Sequence, residues 1–140
     1  MQIVTRKTQL AVQALTWLAS RGEGVHNVKN IADAIAVSPT SLTKVLQSLA
    51  RVGYVQGTRG IGGGYSFAQV PPTASLYDLA VYMGEEERLN NRCFLGQDVC
   101  DADHPCAVHL HWEGYRHELL EFMRTTALVK LIEGQRLIKV

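Results

Sequence analysis

Apolar residues recur at Ala11, Ala14, Leu15 and Leu18, a spacing of i, i+3, i+4, i+7 that predicts an amphipathic helix over residues 8–20. Gly22 and Gly24 end it. Asn27 stands as the N-cap of a short second helix over 28–36, with Ile31, Ala34 and Ile35 expected inward. Ser38 and Pro39 then supply a capping hydroxyl and a proline at the first helical position, where its missing N–H costs nothing. The third helix should run to about Val52, burying Leu42, Val45, Leu46 and Leu49, and Gly53 stops it.

The period then changes. Residues 54–58 and 65–68 read as two short strands around the glycine-rich turn Arg59-Gly60-Ile61-Gly62-Gly63-Gly64, a β-hairpin. Pro71-Pro72 closes this unit. Ser75 caps a fourth helix over 76–83, with Leu76, Leu79, Ala80 and Met83 on one face. Gly84 and the acidic run 85–87 lead into an irregular, cysteine-bearing stretch over 89–106. A long helix follows over 107–124, carrying Val108, Trp112, Tyr115, Leu119 and Phe122 at gaps of four, three, four and three. That is a heptad seam, which predicts helix-to-helix dimerisation. Thr125 and Thr126 break it before a last short helix with Leu128, Val129, Leu131 and Ile132.

Helix, short turn, helix, then a strand pair is the order of a winged helix-turn-helix. The expected class is therefore mainly α (α+β), a winged helix-turn-helix DNA-binding domain over 1–70 followed by a dimerisation region over 71–140. The charge pattern agrees. Residues 1–70 hold seven Lys or Arg against two acids, a net of +5, whereas residues 71–140 hold seven against eleven, a net of −4. Only the first half is suited to a polyanion. Ser38, Thr40, Ser41, Thr43 and Lys44, at the start of the third helix and opposite its apolar face, are the candidate groove-reading set. Lys44 and Arg51 suit phosphates, which supply affinity rather than sequence information. Arg59 and Gly60 form a thin, charged wing tip suited to a narrow minor groove. The expected partner is double-stranded DNA. No apolar run reaches the ~20 residues of a membrane span and no secretory signal is evident, so a cytoplasmic protein without membrane contact is expected.

The chain has three cysteines, Cys93, Cys100 and Cys106, crowded into one polar segment. An odd number without a signal peptide argues against a disulfide framework and for a cofactor or redox role. The pattern Cys-x6-Cys-x5-Cys-x2-His, ending at His109, has the long spacers of a loop wrapped around a cluster, not the tight knuckles of zinc ribbons. Cys106 and His109 are expected to share one face at the start of the long helix, whose positive end favours thiolates. Zinc bound with His104 or His109, a cluster-free thiol switch and sensing through a protein partner remain alternatives. His26, His111 and His117 are expected at the surface. An enzyme is not expected: Cys106 and His109 have the chemistry of a nucleophile and base, but no oxyanion or substrate elements accompany them.

Gly53-Tyr54-Val55, the run Arg59 to Tyr65 and the cysteine loop feeding a long helix resemble the Rrf-two family of bacterial regulators over residues 1–135. The resemblance implies a homodimer on a pseudo-palindromic operator, the long helices crossing at the two-fold axis. Cluster-binding members of the iron–sulfur regulator type use Cys3His ligation of a 2Fe–2S cluster. Cys106-Ala107-Val108-His109 followed by Trp112 is similar to them, which implies Cys93, Cys100, Cys106 and His109 as ligands. A 4Fe–4S cluster completed by an N-terminal carboxylate, as in the nitric-oxide-sensing type, is the other option. Against it, no Asp or Glu occurs here before Glu23. The first cysteine gap is six residues rather than the usual five, and Thr43 replaces a recognition-helix carboxylate. Operator binding controlled by redox, iron–sulfur status or nitric oxide, as a repressor, is what the resemblance implies.

Overall fold

The computed structural model describes residues 4–97 and 100–134. The first apolar stripe forms helix α1 (Arg6–Arg21), ended by Gly22, with Leu10, Ala11, Ala14, Leu15 and Leu18 buried. Helix α2 (Val28–Ile35) is capped by Asn27, whose side chain accepts from the Asn30 N–H at 2.7 Å. Its inward pair is Ile31 and Ala32, while Ala34 is exposed and Ile35 half-buried. The expectation for Ala34 fails because α2 ends at Ala36, a non-glycine residue at φ 57°; so short a helix docks one narrow stripe. Helix α3 (Pro39–Arg51) is capped by Ser38 and buries Leu42, Val45, Leu46 and Leu49. A fully buried leucine of this kind stabilises the fold by about 2 kcal/mol. Asn27→Ala removes a partner from an orphan helix N–H, and about 1 kcal/mol of unfolding free energy should be lost in a urea titration.

Strands β1 (Val55–Thr58) and β2 (Gly64–Phe67) pair antiparallel, Val55 opposite Phe67 and Thr58 opposite Gly64. The hairpin does not stand alone. His26 and Tyr65 exchange backbone hydrogen bonds of 2.9 and 2.8 Å, so the α1–α2 connection acts as a third strand beside β2. Gly64 makes this contact feasible: at φ 152°, a Cβ there would lie 2.0 Å from the His26 carbonyl oxygen. His26 is therefore a structural residue and not a plain surface histidine. It is half-buried, its ring packed edge-on against Trp17 at 4.9 Å.

Helix α4 (Leu76–Tyr82) starts with a capping box between Ser75 and Asp78. The stretch after it is not all irregular. A short helix, α5 (Glu86–Asn91), occupies the acidic run, held through Leu89 alone as its buried apolar residue. The long helix, α6 (His109–Thr125), begins two residues later than expected, and α7 (Leu128–Gly134) closes the described chain. Leu128 and Ile132 of α7 join the core of α1, α2 and α3, so one apolar cluster crosses residues 70 and 71. A second, smaller cluster of Ala80, Leu89, Leu120 and Met123 fastens α6 to α4 and α5. At its far end α6 is tied to the segment leaving the hairpin. Leu76 N–H bonds Thr126 O, and Leu128 N–H bonds Ala74 O, both at 2.9 Å.

Candidate nucleic-acid interface and cysteine centre

The candidate groove-reading residues lie on the face of α3 away from its buried stripe. Ser38, Thr40, Ser41 and Lys44 are exposed, opposite the buried stripe of α3, and Arg51 is exposed at its end. Thr43 is half-buried and its hydroxyl donates to the Pro39 carbonyl at 2.8 Å, so toward a ligand its oxygen is left to accept. Ser38 Oγ accepts from Ser41 N–H at 3.4 Å and so both caps the helix and stands at its exposed tip. Arg59 and Gly60 are exposed at the end of the hairpin.

The cysteine segment is assembled by α5, a loop and the start of α6. Cys100 N–H donates to Asn91 O at 2.6 Å, folding the loop back onto α5. Cys106 lies in the turn before α6, not on the helix. Its carbonyl accepts from His109 N–H at 3.1 Å, and the N-cap is Val108. The helix starts late because Pro105 and the Ala107–Val108 turn precede it. Cys106 and His109 thus do not share a helical face.

Two of the four sulfur and nitrogen donors form a close pair: His109 Nδ1 lies 3.2 Å from Cys100 Sγ. Burial raises the Cys93 thiol pKa, but the N–H groups of Gln97, Leu95 and Gly96 together with the Cys106 thiol outweigh it, leaving it below the ordinary value. Cys93 is buried and Cys100 and Cys106 half-buried, all unbridged. His109 is buried, and its Nε2 has no hydrogen-bond partner, with Glu113 3.8 Å away. Among the described residues no three His, Cys, Asp or Glu converge on one point suited to a single ion. Asp98 lies outside the described residues. Exposed His104 pairs with Asp101 at 3.1 Å; the Asp103 N–H and this ring hold the Asp101 carboxyl below its usual range.

Two charged groups in this region carry no sequence signal of burial. Glu85, 2% exposed, accepts from Thr5 N–H at 2.8 Å and from the Thr8 hydroxyl, and pairs with Arg88 at 3.1 Å. It joins the start of α5 to the start of α1. Arg116 is buried on α6, donating to the Arg92 carbonyl beside Cys93 and lying over the Trp112 ring at 5.4 Å. His109, Arg116, Leu120 and Met123 form the buried stripe of α6. The heptad seam runs along its flank: Val108, Trp112 and Leu119 are half-buried, and Tyr115 and Phe122 are 67% and 58% exposed. Trp112 is held by Nε1 donating to Arg92 O at 2.9 Å and by Phe94 at 5.4 Å between centroids.

The family model described as Rrf2, iron-dependent transcriptional regulator, matches residues 4–134. The chain belongs to the Rrf2 family. It is accordingly a DNA-binding transcription regulator, of a family of regulators and not of enzymes. Its relatives include a protein of Aquifex aeolicus named as an HTH-type transcriptional regulator, 29% identical over 93% of this chain and 91% of that one. They also include the regulator IscR of Erwinia tasmaniensis, 24% identical over 98% and 82%. The structure of CymR, the global cysteine regulator of B. subtilis, superposes with a TM-score of 0.69 at 23% identity, over 96% of this chain and 99% of that one. The shared architecture is the Rrf2 winged helix-turn-helix, mostly helical with one small antiparallel sheet. No helix among the described residues is long and apolar enough to cross a membrane.

Proposed function

We propose that this Rrf2 protein is a cytoplasmic homodimer whose hold on a pseudo-palindromic operator is set by an iron–sulfur cluster on Cys93, Cys100, Cys106 and His109. The donor set carries this reading. Three unbridged cysteines and a buried histidine lie on one short stretch of chain, with His109 Nδ1 3.2 Å from Cys100 Sγ, and thiolates with an imidazole are the ligands such a cluster takes. The buried His109 Nε2, which has no hydrogen-bond partner, suits the same occupant. A histidine in the set favours 2Fe–2S over 4Fe–4S. When bound, such a cluster supplies one-electron chemistry and reactivity toward oxidants and nitric oxide. The protein's own part is mechanical: Cys100, beside His109, holds the loop to the root of α6, and the far end of α6 is tied by the Ser75–Ala127 pairing to the start of α4, on the chain that leaves the hairpin.

In this reading residues 1–70 read DNA through Ser38, Thr40, Ser41, Thr43, Lys44, Arg51, Arg59 and Gly60. Residues 71–140, of which 135–140 lie outside the described residues, sense and dimerise through Val108, Trp112, Tyr115, Leu119 and Phe122. The exposed aromatic flank of α6 supports that assignment, since a seam left open in one chain is closed by a second copy. Arg59→Ala should weaken specific binding by about 1–3 kcal/mol and lower the salt slope by about 1, read by fluorescence anisotropy.

The deciding experiment is anaerobic purification with iron and acid-labile sulfide quantification. Brown protein with equal iron and sulfide is expected; colourless protein that cannot be reconstituted overturns the reading. A metal-free thiol switch is the second reading, favoured by three unbridged cysteines on one short stretch of chain.

A further inference from the structure

The hairpin ends in a side chain that touches nothing. Ile61 has a relative exposure of 110%, the highest of the exposed large hydrophobics among the described residues. It sits second in the turn Gly60–Gly63, closed by Gly63 N–H to Gly60 O at 2.9 Å. Gly62 at φ 77° takes the third position, as a type II turn requires. That second position accepts almost any residue, proline and polar ones included, so the turn itself does not call for isoleucine. Nor does the fold, because no part of the side chain is buried. A β-branched side chain is also stiff, so it is presented in few rotamers.

The base of the hairpin is rigid, held by the β1–β2 ladder and the His26–Tyr65 exchange. Exposed Arg59 stands two residues away on the same tip. The feature is therefore a stiff apolar point mounted beside a cation on a narrow, positively charged half-molecule. Charge complementarity selects a duplex as its occupant. Within a duplex, the minor groove is the place where proteins combine arginine with apolar wedges.

We propose that Ile61 is an apolar wedge that enters the operator minor groove beside Arg59 and packs at a flexible pyrimidine–purine step. Ile61 then contributes specificity through the ease of deforming that step rather than through hydrogen bonds to bases. This rests on the wing reading above.

The test uses full-length protein and a duplex selected by the wild-type protein from a random pool, compared with an unselected duplex of equal length. Ile61→Ala should lower affinity for the selected duplex about tenfold. It should leave the unselected duplex and the salt slope unchanged, while Ile61→Leu restores binding. A 2-aminopurine placed at the contacted step should brighten with wild-type protein and not with Ile61→Ala. Thermal unfolding should be unaltered, since the residue is wholly in solvent. Wild-type affinity and brightening in Ile61→Ala, with Arg59→Ala impaired, overturn the wedge alone. Unimpaired binding by both variants overturns the wing reading as well. Equal losses on both duplexes also overturn the wedge, since they mark general affinity and not specificity.

Discussion

Cys106→Ser is expected to give folded protein with its iron and sulfide reduced about tenfold or more and its visible absorption gone. Serine is nearly isosteric with cysteine, and Cys106 is half-buried in a turn whose backbone bond to His109 N–H the change leaves intact. Stability should therefore move by about 0.5 kcal/mol or less. What disappears is one thiol of the proposed ligand set. Operator affinity should then be the same with and without iron and sulfide reconstitution. Cluster content close to wild type would show that Cys106 is not a ligand.

Gly64→Ala should be the most damaging single methyl in the hairpin. The added carbon would sit 2.0 Å from the His26 carbonyl oxygen and 2.5 Å from its carbon, both backbone atoms that no rotamer change can move aside. The φ of 152° adds strain for any L side chain. Relief requires the hairpin to leave the α1–α2 connection, losing both His26–Tyr65 hydrogen bonds. Overpacking and backbone strain together suggest about 3 kcal/mol, or a melting temperature lower by on the order of 10 °C. Gly24→Ala is the control: φ is 123°, but nothing lies within 4 Å, so only the strain should register, at about 1 kcal/mol. Equal melting temperatures for the two variants would remove the steric explanation.

The helices were legible wherever a cap and an apolar stripe coincide. Asn27, Ser38 and Ser75 are all caps; α3 buries a full stripe at helical spacing, while the shorter α2 and α4 each bury one adjacent pair, Ile31–Ala32 and Leu79–Ala80. The hairpin was legible from its glycines, although Gly64 serves His26 as much as the turn. Helix α5 was hidden because Leu89 is its only buried apolar residue, among acids that read as solvated loop. Glu85 was hidden for the same reason: a buried carboxylate is announced only by its partners, Thr5 and Thr8, some eighty residues away in the chain. On α6 the heptad pattern stands out in the sequence, but the stripe that packs within the chain includes His109 and Arg116, which a search for apolar periodicity passes over. The cysteine spacing singled out a segment, but it gave no information on which donors meet: the approach of Cys100 to His109 depends on how the loop folds back onto Asn91.

The hydrogen bonds between Ala74–Leu76 and Thr126–Leu128 give α6 the geometry of a lever. Its 17 residues span about 25 Å, so a tilt of roughly 10° at the cysteine end carries the far end about 4 Å. That end is hydrogen-bonded to residues 74–76, which follow β2 along the chain. Four ångströms exceeds the rise of one base pair, about 3.4 Å, so in the proposed dimer a small rotation beside three sulfurs would put a reading head out of step with its half-site.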